Sequence, residues 1–265
     1  MIQKFRTTVQ SISLLLLHSS WGPEFKAVCN PVLSCHSCAL SWFACPIGVF
    51  IHFAGYQAFP WIAAGTVLLF GMFIGRMLCG WVCPFGFVQD LLYKLPTRKF
   101  QLPAWASHTK YVVLVGTVFL IPWFLGESSY GVFCRYCPSA ALQVTIPRLI
   151  GGGAINAMTA VKLGVLVFVL VVVVFTSRGF CKVLCPIGAL LAPFNFISLW
   201  LIKVPAGDCL ACDQCDERCP TNCLPQERVD QRIPANRALD CVVCHECQPK
   251  CPPWKKEHAP ARSRS

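Results

Sequence analysis

The chain has 265 residues, of which 55% are hydrophobic and only 13% are charged, with a formal net charge of +11. Soluble domains usually carry about 25% charged residues, so the composition excludes an ordinary soluble globular domain. The positive charge does not indicate nucleic-acid binding, because the basic residues gather at the ends of apolar runs, as membrane topology signals do.

Four apolar runs are predicted to span a membrane, because a helix needs about 20 residues to cross about 30 Å of hydrocarbon. The first resembles a signal peptide, with Lys4 and Arg6 ahead of a leucine run, but no small-residue cleavage site follows, which favours an uncleaved span. A fifth run, 187–202, is interrupted by Pro193 and Asn195 and is predicted to lie at the membrane interface. The four predicted spans are residues 8–21, 59–75, 111–125 and 160–176.

Lysine and arginine are concentrated on one side of these spans: before the first, between the second and third, and after the fourth. The positive-inside rule then places both termini in the cytoplasm. The sequence therefore predicts a multi-pass protein of the cytoplasmic (inner) membrane, embedded in membrane lipid.

The cysteines define an internal repeat. An outer motif, Cys-x-x-Cys, recurs after 99 residues, and an inner motif, Cys-x3-Cys-Pro, recurs after 102 residues. Each copy runs span, outer motif, span, inner motif, so we predict an all-α membrane domain of four transmembrane helices built from a duplicated two-helix unit. The two inner motifs should meet near one membrane surface and the two outer motifs near the other. The inner cysteines are Cys79, Cys83, Cys181 and Cys185, and the outer pairs are Cys35, Cys38, Cys134 and Cys137.

The polar tail contains two runs with the spacing C-x2-C-x2-C-x3-C-P, which is typical of bacterial two-cluster ferredoxins. Three closely spaced thiolates hold three irons of a cubane, and the fourth cysteine of each run serves the other cluster. Zinc sites use pairs of ligands instead. Cys223 is an additional cysteine that is predicted to be spare and buried, with a ligand role in a rearranged site as the alternative. The predicted iron ligands are Cys209, Cys212, Cys215 and Cys251 for one [4Fe–4S] cluster, and Cys241, Cys244, Cys247 and Cys219 for the other.

The change in composition also predicts the domain boundaries. Residues 1–203 form the membrane domain, 204–258 a small α+β two-cluster ferredoxin-like module, and 259–265 a basic tail.

The cysteines at the membrane edges leave several interpretations open. The inner cysteines number four, as a further cluster requires, and redox participation as ligands or reactive thiols is favoured over a purely structural role. For the outer pairs, redox and structural roles are evenly balanced. Cys29 and Cys45 add two outer thiols, which could form a disulfide on an oxidising face.

Arg76 and Arg178 each precede an inner pair by three residues. The main interpretation is an anchor that extends to the lipid headgroups, with a second effect on the neighbouring thiolates. The sequence has no nucleotide-binding glycine loop, c-type haem motif or flavin fingerprint, and no catalytic residue is predicted. Four polar residues are candidates for binding a quinone headgroup or carrying its proton, although each alone is more often an interface residue: His36, His52, Gln89 and Asp90.

The segments RMLCGWVCPFGFVQDLL and RGFCKVLCPIGALL, together with the paired tail runs, resemble the NapH-type membrane ferredoxins. These are iron–sulfur subunits associated with periplasmic nitrate reductase systems, and the chain is also similar to the membrane core of NosR-type and CcoG-type proteins. The resemblance extends from Cys35 to Pro252. It implies a cytoplasmic-membrane protein that helps to move electrons between the quinone pool and a partner redox protein. The added segment CHSCALSWFACPIG departs from the nitrate-reduction branch.

We therefore predict an electron-transfer subunit rather than a stand-alone enzyme. Two cytoplasmic [4Fe–4S] clusters would relay electrons between the quinone pool or membrane and a redox partner, with one or two further clusters at the membrane cysteines as an open alternative. A second hypothesis is a maturation factor that supplies reducing equivalents to a metalloenzyme or to thiols. A transporter with sensory clusters is disfavoured, because the second and fourth spans contain almost no polar residues.

Overall fold

A computed structural model describes residues 2–19, 25–26, 28–202, 212, 214–231 and 233–251. This part of the chain is helical and contains no strand, only one isolated parallel bridge between Cys29 and Ala44. The longer helices are Ile2–Leu17, Pro46–Gly55, Trp61–Ile74, Pro84–Leu92, Trp105–Leu125 and Ala157–Phe175. Shorter helices are Met77–Trp81, Phe133–Tyr136, Gly179–Val183, Pro186–Leu191, Gln214–Glu217 and Pro225–Asp230, with 138–150 as a helix of mixed α and π geometry.

Two helices in the described ranges are long and apolar enough to cross a membrane, Trp105–Leu125 with 21 residues and Ala157–Phe175 with 19. They coincide with the predicted third and fourth spans. The other two predicted spans form shorter apolar helices, and Trp61–Ile74, with 14 residues, rises only about 21 Å. The prediction of four transmembrane helices therefore remains a prediction.

Four helices begin in the same way, with cysteine before the helix and proline as its first residue. The cysteine is extended, with ψ between 113° and 126°, as the residue before a proline must be. Proline suits the first helical position because that residue has no hydrogen-bond partner for an N–H. The Cys-Pro dipeptide therefore holds each thiol beside the free amides of a helix start. The four cysteines are Cys45, Cys83, Cys137 and Cys185.

The apolar stretch 187–202 does not form one long helix. Helix Pro186–Leu191 is followed by a 3-10 turn, Pro193–Phe196, and the chain then turns back. The amides of Leu199 and Trp200 donate to the carbonyls of Met72 and Phe73, at 3.0 and 3.1 Å. The stretch therefore covers the free carbonyls at the end of helix Trp61–Ile74.

The described part of the tail folds around a small apolar core. Ile202, Val229, Ala235 and Val243 are buried there, and Met77 of the membrane domain packs against them. The tail is therefore continuous with the membrane domain through this core. The described tail residues contain no strand, so the predicted α+β module and its boundaries at 204 and 258 stay predictions.

Candidate functional site

The inner cysteines of the two repeats lie together. All four are buried, with at most 6% of their surface exposed. Burial, and then the neighbouring thiolates of Cys181 and Cys79, raises the pKa of Cys83 to about 12. Burial and the same two neighbours also raise the pKa of Cys185 well above its ordinary value. The duplication therefore brings four thiols to one site, and the raised pKa values of Cys83, Cys181 and Cys185 keep these three protonated unless a cation binds there.

Each repeat contributes an arginine that binds the other repeat. The guanidinium of Arg178 donates to the carbonyl of Cys79 at 2.8 Å, and that of Arg76 donates to the carbonyl of Cys181 at 3.4 Å. Both side chains are buried, with Arg178 only 1% exposed and Arg76 0%. The interpretation of these arginines as headgroup anchors was wrong, because they are part of the protein interior.

The glycine of each inner Cys-Pro-x-Gly motif leaves space for the contacts between the arginine of one repeat and the cysteine backbone of the other. A Cβ on Gly188 would lie 2.9 Å from Arg76 Nη2 and 3.0 Å from the carbonyl oxygen of Cys181. A Cβ on Gly86 would lie 3.0 Å from the carbonyl oxygen of Cys79. A side chain at either position would displace the arginine or the cysteine backbone.

The buried arginines have carboxylate partners outside their own motifs. Arg178 forms a bidentate ion pair with Asp90, at 2.9 and 2.6 Å, and Arg6 binds the same carboxylate at 3.1 Å. Burial alone would raise the pKa of Asp90, but the two arginines outweigh it and lower that pKa. Asp240 pairs with Lys110 and lies 3.9 Å from Arg76.

The surroundings of the inner cysteines are more basic than acidic. Four cations, Arg6, Arg76, Lys110 and Arg178, are paired with only three carboxylates, Asp90, Asp240 and Glu246. A cubane held by four thiolates is an anion, and nearby positive charge compensates its burial. The charge distribution at this site therefore fits such a group.

The inner sulfurs also receive hydrogen bonds. Gln89 Nε2 donates to Cys181 Sγ at 3.0 Å, and the backbone amide of Gly188 donates to Cys185 Sγ at 3.4 Å. Hydrogen bonds to sulfur stabilise thiolate ligands and raise the potential of a cluster. Gln89 and Asp90 are two of the predicted quinone candidates. Their side chains instead bind Cys181 and Arg178 of the second repeat.

The second tail motif lies directly on the first inner motif. Trp81 Nε1 donates to the carbonyl of Val243 at 2.9 Å. A Cβ on Gly80 would overlap the carbonyl oxygen of Val242 and would lie 3.7 Å from the Cα of Cys244. Asn195 adds two hydrogen bonds, from Nδ2 to the carbonyls of Ala238 and Cys241 at 2.7 and 2.8 Å.

The predicted ligands of the second tail cluster are neighbours in the structure. Burial, and then the charges of Cys244 and Cys219, raises the pKa of Cys247. Cys223 joins this group, since its Sγ lies 3.3 Å from Cys219 Sγ and its thiol also interacts with Cys241. Cys223 is therefore part of the thiol group and is only half-buried.

The first tail cluster is less completely described. Cys209 lies outside the described residues, and Cys212 is exposed. Helix Gln214–Glu217, which carries Cys215, packs against the turn Gln248–Lys250 that precedes Cys251. The third and fourth predicted ligands therefore come from elements in contact.

No three cysteine, histidine or acidic side chains in the described ranges surround a single metal ion.

The outer motifs line a cavity of about 560 Å³. Its walls include Cys35 and Cys134 and the two remaining quinone candidates, His36 and His52. His52 Nδ1 lies 2.5 Å from Glu127 Oε2. A smaller adjoining cavity is lined by Cys35, Cys134 and Cys137 of the predicted outer pairs, but by Cys45 in place of Cys38.

No disulfide joins any two described cysteines. The predicted disulfide involving Cys29 and Cys45 is therefore not formed in this structure. Sequence reasoning placed Cys45 among the outer thiols but not in the predicted outer set of four, although Cys45-Pro-Ile-Gly48 repeats the pattern of the inner motifs.

The family model of a 4Fe-4S binding domain matches the chain twice, at residues 56–103 and 159–205. Each match contains the second predicted span and the inner motif of one copy of the repeat. No solved structure gives a significant match.

Three similar proteins show how far the likeness extends. An uncharacterized protein of Methanocaldococcus jannaschii is 29% identical over 63% of this chain and 68% of its own length. The putative electron transport protein YccM of Escherichia coli is 26% identical over 65% of this chain and 50% of its own. The ferredoxin-type protein NapH of Haemophilus influenzae is 31% identical over 62% of this chain and 54% of its own. The chain thus spans about half to two thirds of these relatives. The chain therefore carries two matches to a 4Fe-4S binding domain and is similar to electron transport and ferredoxin-type proteins.

Proposed function

We propose that the chain is a membrane-bound iron–sulfur electron carrier, in which clusters in the tail exchange electrons with the membrane domain at the inner cysteines. One observation carries this proposal: the second tail motif rests on the first inner motif, with Cys244 over Gly80 and Val243 bound by Trp81. A cluster at the tail site would therefore lie against Gly80, the residue that follows Cys79, and an electron would have a short path to the inner cysteines.

The residues that would hold the clusters are the two tail sets and the inner cysteines. Iron–sulfur clusters supply one-electron transfer. The chain's own residues set the conditions: Arg76 and Arg178 compensate negative charge, Gln89 donates to Cys181, and the Cys-Pro turns fix two of the inner sulfurs. The match of the 4Fe-4S binding domain to both inner motifs supports a cluster there.

The proposal includes four spans with both termini in the cytoplasm. Helix Trp61–Ile74 supports it, because Ile62, Leu69 and Phe73 are exposed apolar side chains of the kind that face lipid. A reporter enzyme that works only in the cytoplasm, fused to the C-terminus, should be active. A reporter that works only outside the cytoplasm should be silent there, and activity from it would refute this topology.

Quinone exchange is proposed at the outer cavity. The cavity has mostly apolar walls, as a quinone site requires, and the His52–Glu127 pair offers a group that can take a proton. Quinol added to anaerobic vesicles containing the full-length protein should then reduce the clusters, which is measured by their visible and EPR spectra. Clusters that a chemical reductant reduces but quinol does not would exclude this part of the proposal. A maturation factor would instead be revealed by a deletion strain whose oxidase or reductase lacks its metal cofactor.

Replacing Cys83 by alanine should remove about four irons per chain, because a cubane loses its anchor when one of four ligands is gone. Cys29→Ala is the matched control, since Cys29 is equally buried but belongs to none of the thiol sets. Iron and sulfide are measured on anaerobically purified protein. Equal iron in the two variants would show that the inner cysteines act as thiols and not as ligands.

A further inference from the structure

Four thiols of the outer segments converge, and we name them the Cys45 group: Cys35, Cys45, Cys134 and Cys137. All four line one small cavity, and Cys38 is not part of its lining. Burial, and then the charges of Cys134 and Cys137, raises the pKa of Cys45. The thiols are therefore close enough for their charges to interact, as those of the inner cysteines are.

The backbone of this group repeats that of the inner cysteines. Cys137 has φ −63° and ψ 118°, Cys83 has −63° and 119°, and Cys45 has −73° and 126°. Cys251, which the ferredoxin spacing predicts as a cluster ligand, has −65° and 118°. In each Cys-Pro-x-Gly or Cys-Pro-x-Ala turn, the amide three residues later favours the thiolate: Gly48 for Cys45, Gly86 for Cys83 and Ala140 for Cys137.

A basic side chain also takes the position that an arginine holds at the inner site. A Cβ on Gly48 would lie 2.5 Å from His36 Nδ1, as a Cβ on Gly188 would lie 2.9 Å from Arg76 Nη2. Lys162 favours the thiolates of Cys35 and Cys134 against the effect of burial. The Cys45 group therefore resembles the inner site in having four thiols and two Cys-Pro turns, and Lys162 is its nearby cation.

One peptide segment connects the two sites. The carbonyl of Leu33 accepts hydrogen bonds from Ser139 Oγ at 2.9 Å and Gln143 Nε2 at 3.0 Å. Its backbone amide faces Cys83 and favours that thiolate, and the amide of Ser139 does the same for Cys137. Residues 32–34 are buried, so this connection runs through the protein interior.

We infer that Cys35, Cys45, Cys134 and Cys137 ligate a further iron–sulfur cluster, joined to the inner cysteines through the Leu33 segment. The inference rests on the proposed function, because it requires a chain that acquires clusters. It differs from the predicted outer set, which has Cys38 in place of Cys45. Local CxxC spacing favoured Cys38, whereas the fold brings the Cys-Pro cysteine to the cavity.

Two variants test this assignment directly. Cys45→Ala should lose about four irons per chain relative to the wild type, whereas Cys38→Ala, a change at a neighbouring buried cysteine, should lose none. Iron, sulfide and EPR spectra are recorded on full-length protein purified without oxygen. The signals of the tail clusters serve as the internal standard for folding in each variant.

The wild type provides a second measurement that needs no substitution. Alkylation followed by mass spectrometry should find the Cys45 group protected in the native protein and reactive once acid or chelator has removed the iron. Thiols that become reactive only after a disulfide reductant, or zinc in place of iron at this site, would overturn the inference.

The outcomes separate this inference from the proposed function. Loss of iron in Cys38→Ala but not in Cys45→Ala, or unchanged iron in both, overturns the Cys45 cluster while leaving the tail clusters intact. A wild-type protein without iron overturns both. If Cys45→Ala also loses the EPR signals of the tail clusters, the variant is misfolded. The alkylation pattern of the wild type then decides whether the Cys45 group binds a cluster.

Discussion

Gly80→Ala should separate the tail from the membrane domain. The new Cβ would overlap the carbonyl oxygen of Val242, which belongs to backbone and cannot rotate away. Overpacking of this kind costs about 1–3 kcal/mol, so the undocked state should become roughly 5 to 150 times more populated. Limited proteolysis of the native protein, followed by mass spectrometry of the released tail, measures this change.

Gly164→Ala is the matched control, because no atom lies within 4 Å of a Cβ at that position. Alanine in a helix interior is about 1 kcal/mol more favourable than glycine, so this variant should be at least as resistant as the wild type. Equal cleavage of the tail in Gly80→Ala and the wild type would show that the second tail motif does not rest on the first inner motif.

Asp90→Asn should be the most destabilising single change at the inner site. Asp90 binds Arg178 through both oxygens and also accepts from Arg6 and Gln10, and its side chain is only 14% exposed. Removing one partner of a buried ion pair costs about 3–5 kcal/mol, because the other charge is left buried without compensation. The thermal midpoint in detergent should fall by on the order of 10 °C.

Glu127→Gln is the control for Asp90→Asn. Glu127 also forms a close pair, with His52, but both side chains are about half exposed, and exposed pairs contribute little to stability. A midpoint for Asp90→Asn as high as that of Glu127→Gln would contradict the proposed role of the buried pair.

The same pair predicts how stability depends on pH. The folded-state pKa of Asp90 is lowered from 3.8, because Arg178 and Arg6 outweigh burial. The contribution of Asp90 to the free energy of unfolding is therefore fully present above pH 3.8, and it is lost as the pH falls through the lower folded-state pKa. Acid unfolding of the wild type should include this loss, and Asp90→Asn, which has no carboxylate to protonate, should lack it.

Much of the site followed from spacing within short segments. The two tail runs, the duplication and the third and fourth spans depend on local pattern, and the structure brings the inner cysteines together as the repeat predicts. What the sequence did not reveal depends on contacts between distant segments. Arg178 is buried because Asp90, 88 residues away, binds it. Trp81 meets Val243 across 162 residues.

The outer site shows the same limit. Cys38 and Cys45 are seven residues apart, and the CxxC pattern favours the first. Only the path of the chain decides which of them reaches Cys134, and that path depends on hydrogen bonds such as the one from the Cys35 amide to Gln143 at 2.7 Å.

The central claim is that this chain binds iron–sulfur clusters at its tail and passes electrons to the inner cysteines. Iron and sulfide quantitation with EPR spectroscopy, on full-length protein purified without oxygen, tests it most directly. We expect a brown protein with at least about eight irons per chain and EPR signals that appear on reduction. A colourless protein that contains zinc, or no metal at all, would contradict the claim.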